Sequence, residues 1–470
     1  MQTLPLVTHR SLNEIVAWRN GTAITVERFL ADVEYLAALL PASKHVLNVC
    51  RDRYHFAVGL AAAIVSNKVS LLPPTHTPEM VRQLQLFSAD VYCLHDNEDC
   101  VIAMPRMLYP EIPEHATGQK IECSVVASVP NIDAVQLVAI VFTSGSTGSP
   151  VPHTKSWGSL VRNVQAQATR LGLSDGTHYS IIGTIPPQHM YGFESTVLLP
   201  LQSGNALSSA QPFYPADICS AIASTPTPHI LVSTPLHLRM LLEAELNVPD
   251  LALVLSATAP LSDTLAHKVE FELAAPLVEI YGSTETGQIA TRQTTRLTEW
   301  QLLPDVKLTQ RGEYMWAEGG HIETTVPIND VIVETKSGYF LLLGRKQDLI
   351  NIAGKRSSLA SLNHHLNTIT GLIDGAFFMP DEVSHDHVTR LSVCVVAPTL
   401  TTASLLKALR LIIDPVFLPR PILFVSELPR NSTGKLPRDA LQRLIAAHVD
   451  KDSTSEYTGF EPAASSDQAI

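Results

Sequence analysis

Three short stretches carry residue types suited to phosphate and carboxylate chemistry. The first, Phe142-Thr143-Ser144-Gly145-Ser146-Thr147-Gly148-Ser149-Pro150, gathers glycines and hydroxyls into one loop. Glycine lets the backbone approach an anion with its N–H groups turned inward, and the hydroxyls add donors. The loop reads as a phosphate cradle, although a polar surface turn has the same composition. It lacks the Gly-Lys-Ser/Thr ending of the common nucleotide loop, which argues against a kinase or P-loop ATPase. The second stretch, Tyr281-Gly282-Ser283-Thr284-Glu285-Thr286-Gly287, sets an aromatic face, hydroxyls and a carboxylate side by side. Those groups are enough to hold a base, a phosphate oxygen and a magnesium ion. The third, Pro429-Arg430-Asn431-Ser432-Thr433-Gly434-Lys435, is a loop with a lysine at its end. Taken singly, the second is also an ordinary turn and Lys435 also a solvated surface charge.

The flanking sequence says what must position these groups. An apolar strand, Leu137 to Phe142, runs into the first loop, and a helix is expected after it, with Trp157, Leu160, Val161, Val164, Ala168 and Leu171 on one face. Before it, helices Arg28–Leu40, Tyr54–Val65 and Thr77–Phe87 alternate with strands Val46–Val49 and Val69–Leu72. After it come strand Tyr179–Ile185, helix Pro235–Glu243, strand Leu251–Leu255, helix Ser262–Leu273 and strand Leu277–Tyr281. Strands alternating with helices predict an α/β fold around mostly parallel sheets covered on both faces, and ligands at the strand ends. From Gly312 to Leu343 the pattern turns to short alternating segments, predicting antiparallel structure. The expected organisation is a large N-terminal domain over 1–344, a small α+β domain over 345–450 and a disordered tail over 451–470.

Composition narrows the class. The chain has 470 residues, 45% hydrophobic and 17% charged, as expected of a soluble, multi-domain enzyme. A formal net charge of −12 disfavours broad binding to nucleic acid or to anionic membranes. The longest apolar run, Phe56 to Val65, is too short to span a bilayer, and Met1 to Asn20 does not read as a signal peptide, so a cytoplasmic location is expected. The six cysteines, at 50, 93, 100, 123, 219 and 394, have no metal-binding spacing and read as reduced thiols.

The three stretches, together with Gly344-Arg345 and Gly354-Lys355-Arg356 near the domain boundary, occur in an order that resembles the adenylate-forming ligases: acyl- and aryl-CoA synthetases, adenylation domains and luciferases. Within that superfamily the chain is most similar to the stand-alone ligases of aryl polyene and xanthomonadin-type pigment pathways. That narrower likeness rests on Arg51-Asp52-Arg53-Tyr54, Leu71-Leu72-Pro73-Pro74 and Pro150-Val151-Pro152-His153-Thr154-Lys155-Ser156-Trp157.

The resemblance implies activation of a carboxylic acid by ATP and Mg²⁺ to an acyl-AMP, with pyrophosphate released, followed by transfer to a thiol. It implies that Thr143, Ser144, Gly145, Ser146, Thr147 and Gly148 hold the leaving phosphates and that Glu285 binds the metal. Tyr281, with Gly282 and Ser283, would hold adenine, and Thr284 the α-phosphate. Ala257 and Thr258 would line adenine and the acyl pocket, Asp330 and Arg345 would hold the ribose, and His189 would stand beside the acyl group. Lys435 would bridge carboxylate and α-phosphate, with Gln347 as the domain hinge. The acid expected is aromatic, such as a hydroxybenzoate, and the acceptor an acyl carrier protein, with CoA the close alternative. A basic patch drawn from Arg345, Lys346, Lys355, Arg356 and Arg420 would receive the carrier. The chain departs from the pattern in three places. Val151 stands where a lysine usually follows the proline, with Lys155 as the candidate replacement. The ribose segment is reduced to Ile328-Asn329-Asp330, and Thr258 stands where glycine is common. The departures also suit a scaffold that binds nucleotide without turnover.

Overall fold

The computed structural model describes residues 2–111, 128–144, 150–312, 314–345, 349–352, 355–379, 391–431, 436–437 and 439–445. The chain divides into two compact units, residues 1–342 and 343–470.

The large unit is built on two sheets. A six-stranded sheet runs in the order Pro150–Ser156, Leu137–Ser144, Val69–Leu72, His45–Asn48, Val91–His95 and Arg106–Leu108. Its strands are parallel except for the first, which folds back antiparallel on Leu137–Ser144 with Val151 opposite Thr143 and His153 opposite Val141. The segment expected to begin a helix after the glycine-rich loop is therefore a strand first. Pro150 and Pro152 disfavour helix there, while Val151 and Thr154 are β-branched and suit an extended edge. The helix starts at Trp157, where the Ser156 hydroxyl accepts the Ser159 N–H as N-cap.

An eleven-stranded sheet has six parallel strands at its centre, Leu277–Ser283, Leu253–Ser256, His229–Ser233, Ser180–Gly183, Ala206–Ser208 and Ile15–Arg19, in that spatial order. Antiparallel strands extend it at both ends. Thr22–Thr25 closes one, and Gly287–Arg292, Trp300–Leu302, Tyr339–Arg345 and Asp330–Lys336 the other. Val306–Arg311, Tyr314–Gly319 and Ile322–Ile328 form a separate antiparallel sheet, so the alternation read over 312–343 is strand as expected.

Helix Arg53–Val65 is buried over nearly its whole length, and Asp52 caps it by accepting the Tyr54 and His55 N–H groups. Arg53 is fully buried and donates to the carbonyls of Gly183, Ile185, Ser208 and Ala210, so one guanidinium joins that helix to strand ends of the larger sheet. Burial lowers its pKa to about 10, which still leaves it charged at neutral pH. Trp157, Phe193, Phe56 and Tyr54 fill the principal core.

In the small unit, Asp374–Phe378, Ser392–Val396 and Ile422–Phe424 form a mixed sheet, joined by the hairpin Leu349–Ile352/Lys355–Ser358 and helices Leu359–Leu366 and Thr402–Ile412. Its core gathers Leu362, Leu366, Phe377, Val393, Leu405 and Leu409.

Candidate active site

Four neighbouring parallel strands, Ser180–Gly183, His229–Ser233, Leu253–Ser256 and Leu277–Ser283, end on the same side of the large sheet. The segments that follow three of them carry His189, Ala257 with Thr258, and Thr284 with Glu285. Parallel topology alone thus brings sites separated by about a hundred residues to one edge.

The turn after Leu277–Ser283 is held from inside. The Ser283 N–H donates to Thr286 Oγ1 at 3.1 Å, and the Thr286 N–H donates back to Ser283 Oγ at 3.2 Å. Both small residues at its base are sterically required. A Cβ at Gly282 would lie 2.2 Å from the Gly287 carbonyl oxygen, and one at Gly287, whose φ is +69°, would lie 2.1 Å from Asn163 Nδ2. Two side chains then grip the turn's backbone from outside. Lys155 Nζ donates to the Glu285 carbonyl at 3.2 Å, and buried His321 Nε2 donates to the Thr286 carbonyl at 2.9 Å.

The Glu285 side chain remains 40% exposed, with Oε1 3.7 Å from His153 Nε2. The same His153 nitrogen is 2.9 Å from Thr143 Oγ1, at the root of the glycine-rich loop. Partial burial would raise the Glu285 carboxyl, but a hydrogen bond from Ser283 and the charges of His153 and Lys155 outweigh it and hold the acid below its usual range. Lys155, 6% exposed, is shifted the other way: burial lowers its pKa, offset in part by Glu194, Glu285 and Glu323. Glu194, 2% exposed, is pushed up to about 7 by burial against the opposing pull of Lys155 and a Gln288 hydrogen bond.

Beside this cluster, Tyr281 Oη donates to Asp330 Oδ2 at 2.5 Å. Its ring sits 5.5 Å from Trp300 and 5.7 Å from Phe340, centroid to centroid. Thr284 is half-buried within the turn, and Gly282 and Ser283 are exposed. Thr258 has a φ of +79°, a conformation that costs a β-branched side chain and that glycine adopts freely. His189 caps the short helix Met190–Gly192 by accepting the Tyr191 N–H on Nδ1 at 3.3 Å.

The structure therefore joins Thr143, Lys155 and Glu285 in one contact network and Tyr281 with Asp330 in a second, on strands of one sheet. Gly145, Ser146, Thr147, Gly148, Gln347 and Lys435, and the side chains of Ser144 and Arg345, lie outside the described residues. Three members were missed from the sequence: His153, Glu194 and His321. Glu194 had a visible signal, a lone carboxylate inside the apolar run Met190–Leu201, because a buried charge demands a partner. The signal at His153 was the extended-chain preference of Pro150 and Pro152 before it, whereas His321 carried none, since it reaches Thr286 from a turn 35 residues on.

The profile of the AMP-binding enzyme family matches residues 11–313. The 4-coumarate–CoA ligase of Rhodobacter capsulatus is 29% identical over 234 residues, covering 50% of this chain and 58% of that enzyme. A 4-coumarate–CoA ligase of Halorhodospira halophila is 28% identical, over 63% of this chain and 73% of its own length. A 4-chlorobenzoate–CoA ligase of an Arthrobacter species is 24% identical over 68% of each. Among solved structures, o-succinylbenzoate CoA synthetase from Bacillus subtilis, in complex with its acyl-adenylate intermediate, superposes with a TM-score of 0.78 at 16% identity, covering 94% of this chain and 99% of that one. ATP-bound MatB from Rhodopseudomonas palustris gives 0.76 at 16% identity, with 95% and 97% covered. The expected fold is thus the observed one.

Proposed function

The chain belongs to the AMP-binding enzyme family, and on that premise we propose that it is an AMP-forming acid–thiol ligase. The observation that carries this reading is the contact of Thr143 and Glu285 through His153, beside the Tyr281–Asp330 pair. A hydroxyl at the root of a glycine-rich loop and a half-exposed ionised carboxylate then face one region, next to an aromatic ring and a second carboxylate.

The residues present suit ATP and Mg²⁺. Glu285 is held ionised and partly open to solvent, as a hard divalent cation requires. A magnesium ion bound there would be held by one carboxylate together with substrate phosphates. Bound there, magnesium would offset the phosphate charge. In the proposed reaction the 143–148 loop holds the β- and γ-phosphates, Tyr281 orients adenine, Asp330 with Arg345 holds the ribose, and Thr284 meets the α-phosphate. The main barrier is repulsion between two anions, the carboxylate and the α-phosphate, and Lys435 is assigned to relieve it.

We assign the acid to the aromatic class, such as a hydroxybenzoate. The coumarate and chlorobenzoate ligases among the relatives support this, as does Thr258, which adds bulk where the acyl pocket is expected. The acceptor we favour is the pantetheine thiol of an acyl carrier protein, as in the pigment ligases that the sequence resembles. Free CoA is the second reading, favoured by the relatives being CoA ligases. Among the described residues no helix is long and apolar enough to cross a membrane, and we propose a cytoplasmic enzyme.

ATP–pyrophosphate exchange with Mg²⁺ and without thiol, run against benzoates, hydroxybenzoates, cinnamates and fatty acids, tests this. Exchange stimulated by one class of acid is the expected outcome, and Lys435→Ala should abolish it while nucleotide still binds. A folded protein that binds ATP but is silent with every acid would support the scaffold reading. Thioester formation with holo-carrier protein or with CoA then decides the acceptor.

A further inference from the structure

The run Val151-Pro152-His153-Thr154-Lys155 takes no chemical step in the scheme above, yet its His153 joins Thr143 to Glu285 at the centre. Alternate residues of a strand share a face, so Val151, His153 and Lys155 point the same way. They descend in order from an exposed Val151, through a half-buried His153, to a buried Lys155. His153 reaches both Thr143 Oγ1 and the Glu285 carboxylate, and Lys155 reaches the Glu285 carbonyl. Behind the turn, Glu194 Oε1 would lie only 3.1 Å from a Cβ at Gly287 and has no hydrogen-bond partner. A buried carboxylate so placed is expensive without a counter-charge, and Lys155 is the cation acting on it.

We propose that His153, Lys155 and Glu194 are positioning residues that clamp the Glu285 turn against the root of the 143–148 loop. The chain thereby orders the phosphate end of its site through the metal-binding turn, in the absence of a lysine at position 151. His153 holds the carboxylate, Lys155 holds the backbone beneath it, and Glu194 keeps the Lys155 ammonium in the interior. This inference rests on the adenylation reading.

The test uses the full-length chain and the variants His153→Ala, His153→Gln, Lys155→Met, Glu194→Gln and the double Lys155→Met/Glu194→Gln. Two readouts are taken: pyrophosphate exchange, with KM for MgATP, KM for the acid and the Mg²⁺ midpoint resolved separately, and calorimetric binding of a non-hydrolysable ATP analogue with and without Mg²⁺. His153→Ala and each single variant of the buried pair should raise the Mg²⁺ midpoint and the KM for MgATP about 10-fold, as loss of support for a metal ligand does, and leave the KM for the acid within twofold. The magnesium-dependent part of analogue binding should weaken by the same factor. His153→Gln, which keeps a donor near the Nε2 position, should recover most of the loss. The double variant should be less impaired than the two singles combined, because neither charge is then left alone. A general loss of structure would shift all constants together. Should the buried variants not fold, the His153 pair alone decides. Wild-type-like Mg²⁺ midpoints in a folded His153→Ala, or equal losses in both KM values, would overturn the clamp and leave adenylation standing. A wild type that neither exchanges nor binds the analogue would overturn the adenylation reading, and the clamp with it.

Discussion

Replacing Gly287 by alanine loads the turn from two directions at once. The backbone sits at φ +69°, where an L-residue with a Cβ pays roughly 1–2 kcal/mol. The added Cβ would also fall 2.1 Å from Asn163 Nδ2 and 3.1 Å from Glu194 Oε1. Asn163 is 2% exposed on helix Trp157–Leu171, so its amide has nowhere to swing, and overpacking of this kind costs about 1–3 kcal/mol. Against these stands the smaller unfolded-state entropy of alanine, worth about 0.4–1 kcal/mol. The net expectation is a destabilisation of about 2–4 kcal/mol, read as a shift of the urea midpoint at unchanged slope. A double-mutant cycle separates the two causes. Asn163→Ala removes the amide that the new methyl strikes, so the pair should couple favourably by about 1–2 kcal/mol, while the backbone cost remains. A Gly287→Ala protein within about 0.5 kcal/mol of wild type would refute the steric argument. A coupling of zero would show that the turn moves as a whole and that Asn163 is not its wall.

Two further changes test the frame that carries the site. His237 is fully buried, bonded through Nδ1 to Thr234 Oγ1 at 2.8 Å, and burial lowers its pKa from 6.5 to about 4. Between those values the unfolded chain binds a proton that the folded one refuses, so stability is flat above pH 6.5 and falls as the pH drops toward 4, by about 3 kcal/mol in all. His321, also lowered to about 4 by burial, adds to the same slope. His237→Asn should flatten the dependence of the urea midpoint on pH in this window, and an unchanged slope would assign it to other groups. Arg53→Met should strand the carbonyls of Gly183, Ile185, Ser208 and Ala210 and cost about 3–5 kcal/mol in chemical unfolding. Arg53→Lys should not restore it, since one ammonium cannot span that fork; a lysine variant with the wild-type midpoint would refute the bridging role.

The parallel centre of the fold was legible because its strands are short apolar runs, buried on both faces, between helices of clear periodicity. Leu253–Ser256, Leu277–Ser283 and Val69–Leu72 fall within one or two residues of where their composition put them. What failed was the segment after the glycine-rich loop. The strong helical face from Trp157 onward masked the strand Pro150–Ser156, although its two prolines argue for an extended chain. That error hid the one-face alignment of His153 with Lys155, and so the contact with Glu285. The hairpin Ile15–Arg19/Thr22–Thr25 was missed for a different reason. It extends a sheet edge formed by Ala206–Ser208, nearly two hundred residues away, and its own five residues include a tryptophan and an arginine. Tyr281 and Asp330 were each assigned to the nucleotide from the resemblance, but their mutual hydrogen bond comes from the fold of the sheet's far end.

Charge balance around the turn explains why the remaining cation matters so much to the proposed reaction. Lys155 is committed to the Glu285 backbone and acts on Glu194. Arg162 lies 3.6 Å from Glu323, whose carboxylate also accepts the Ser156 hydroxyl. His153 stands 3.7 Å from Glu285, and burial lowers its pKa despite that carboxylate. The cations near the turn are thus answered by carboxylates of the same unit, and the chain's acidic excess lies within residues 1–342. Such a surface offers little net attraction to a polyphosphate and still less to a second anion brought against it. In the proposed scheme the positive charge must therefore arrive with the substrate, as magnesium, and with the small unit, as Lys435. The first half-reaction should accordingly be more sensitive to Lys435 than to any cation of the large unit. Neutralising Lys155 should act through the placement of Glu285, on the magnesium requirement, before it acts on the chemical step.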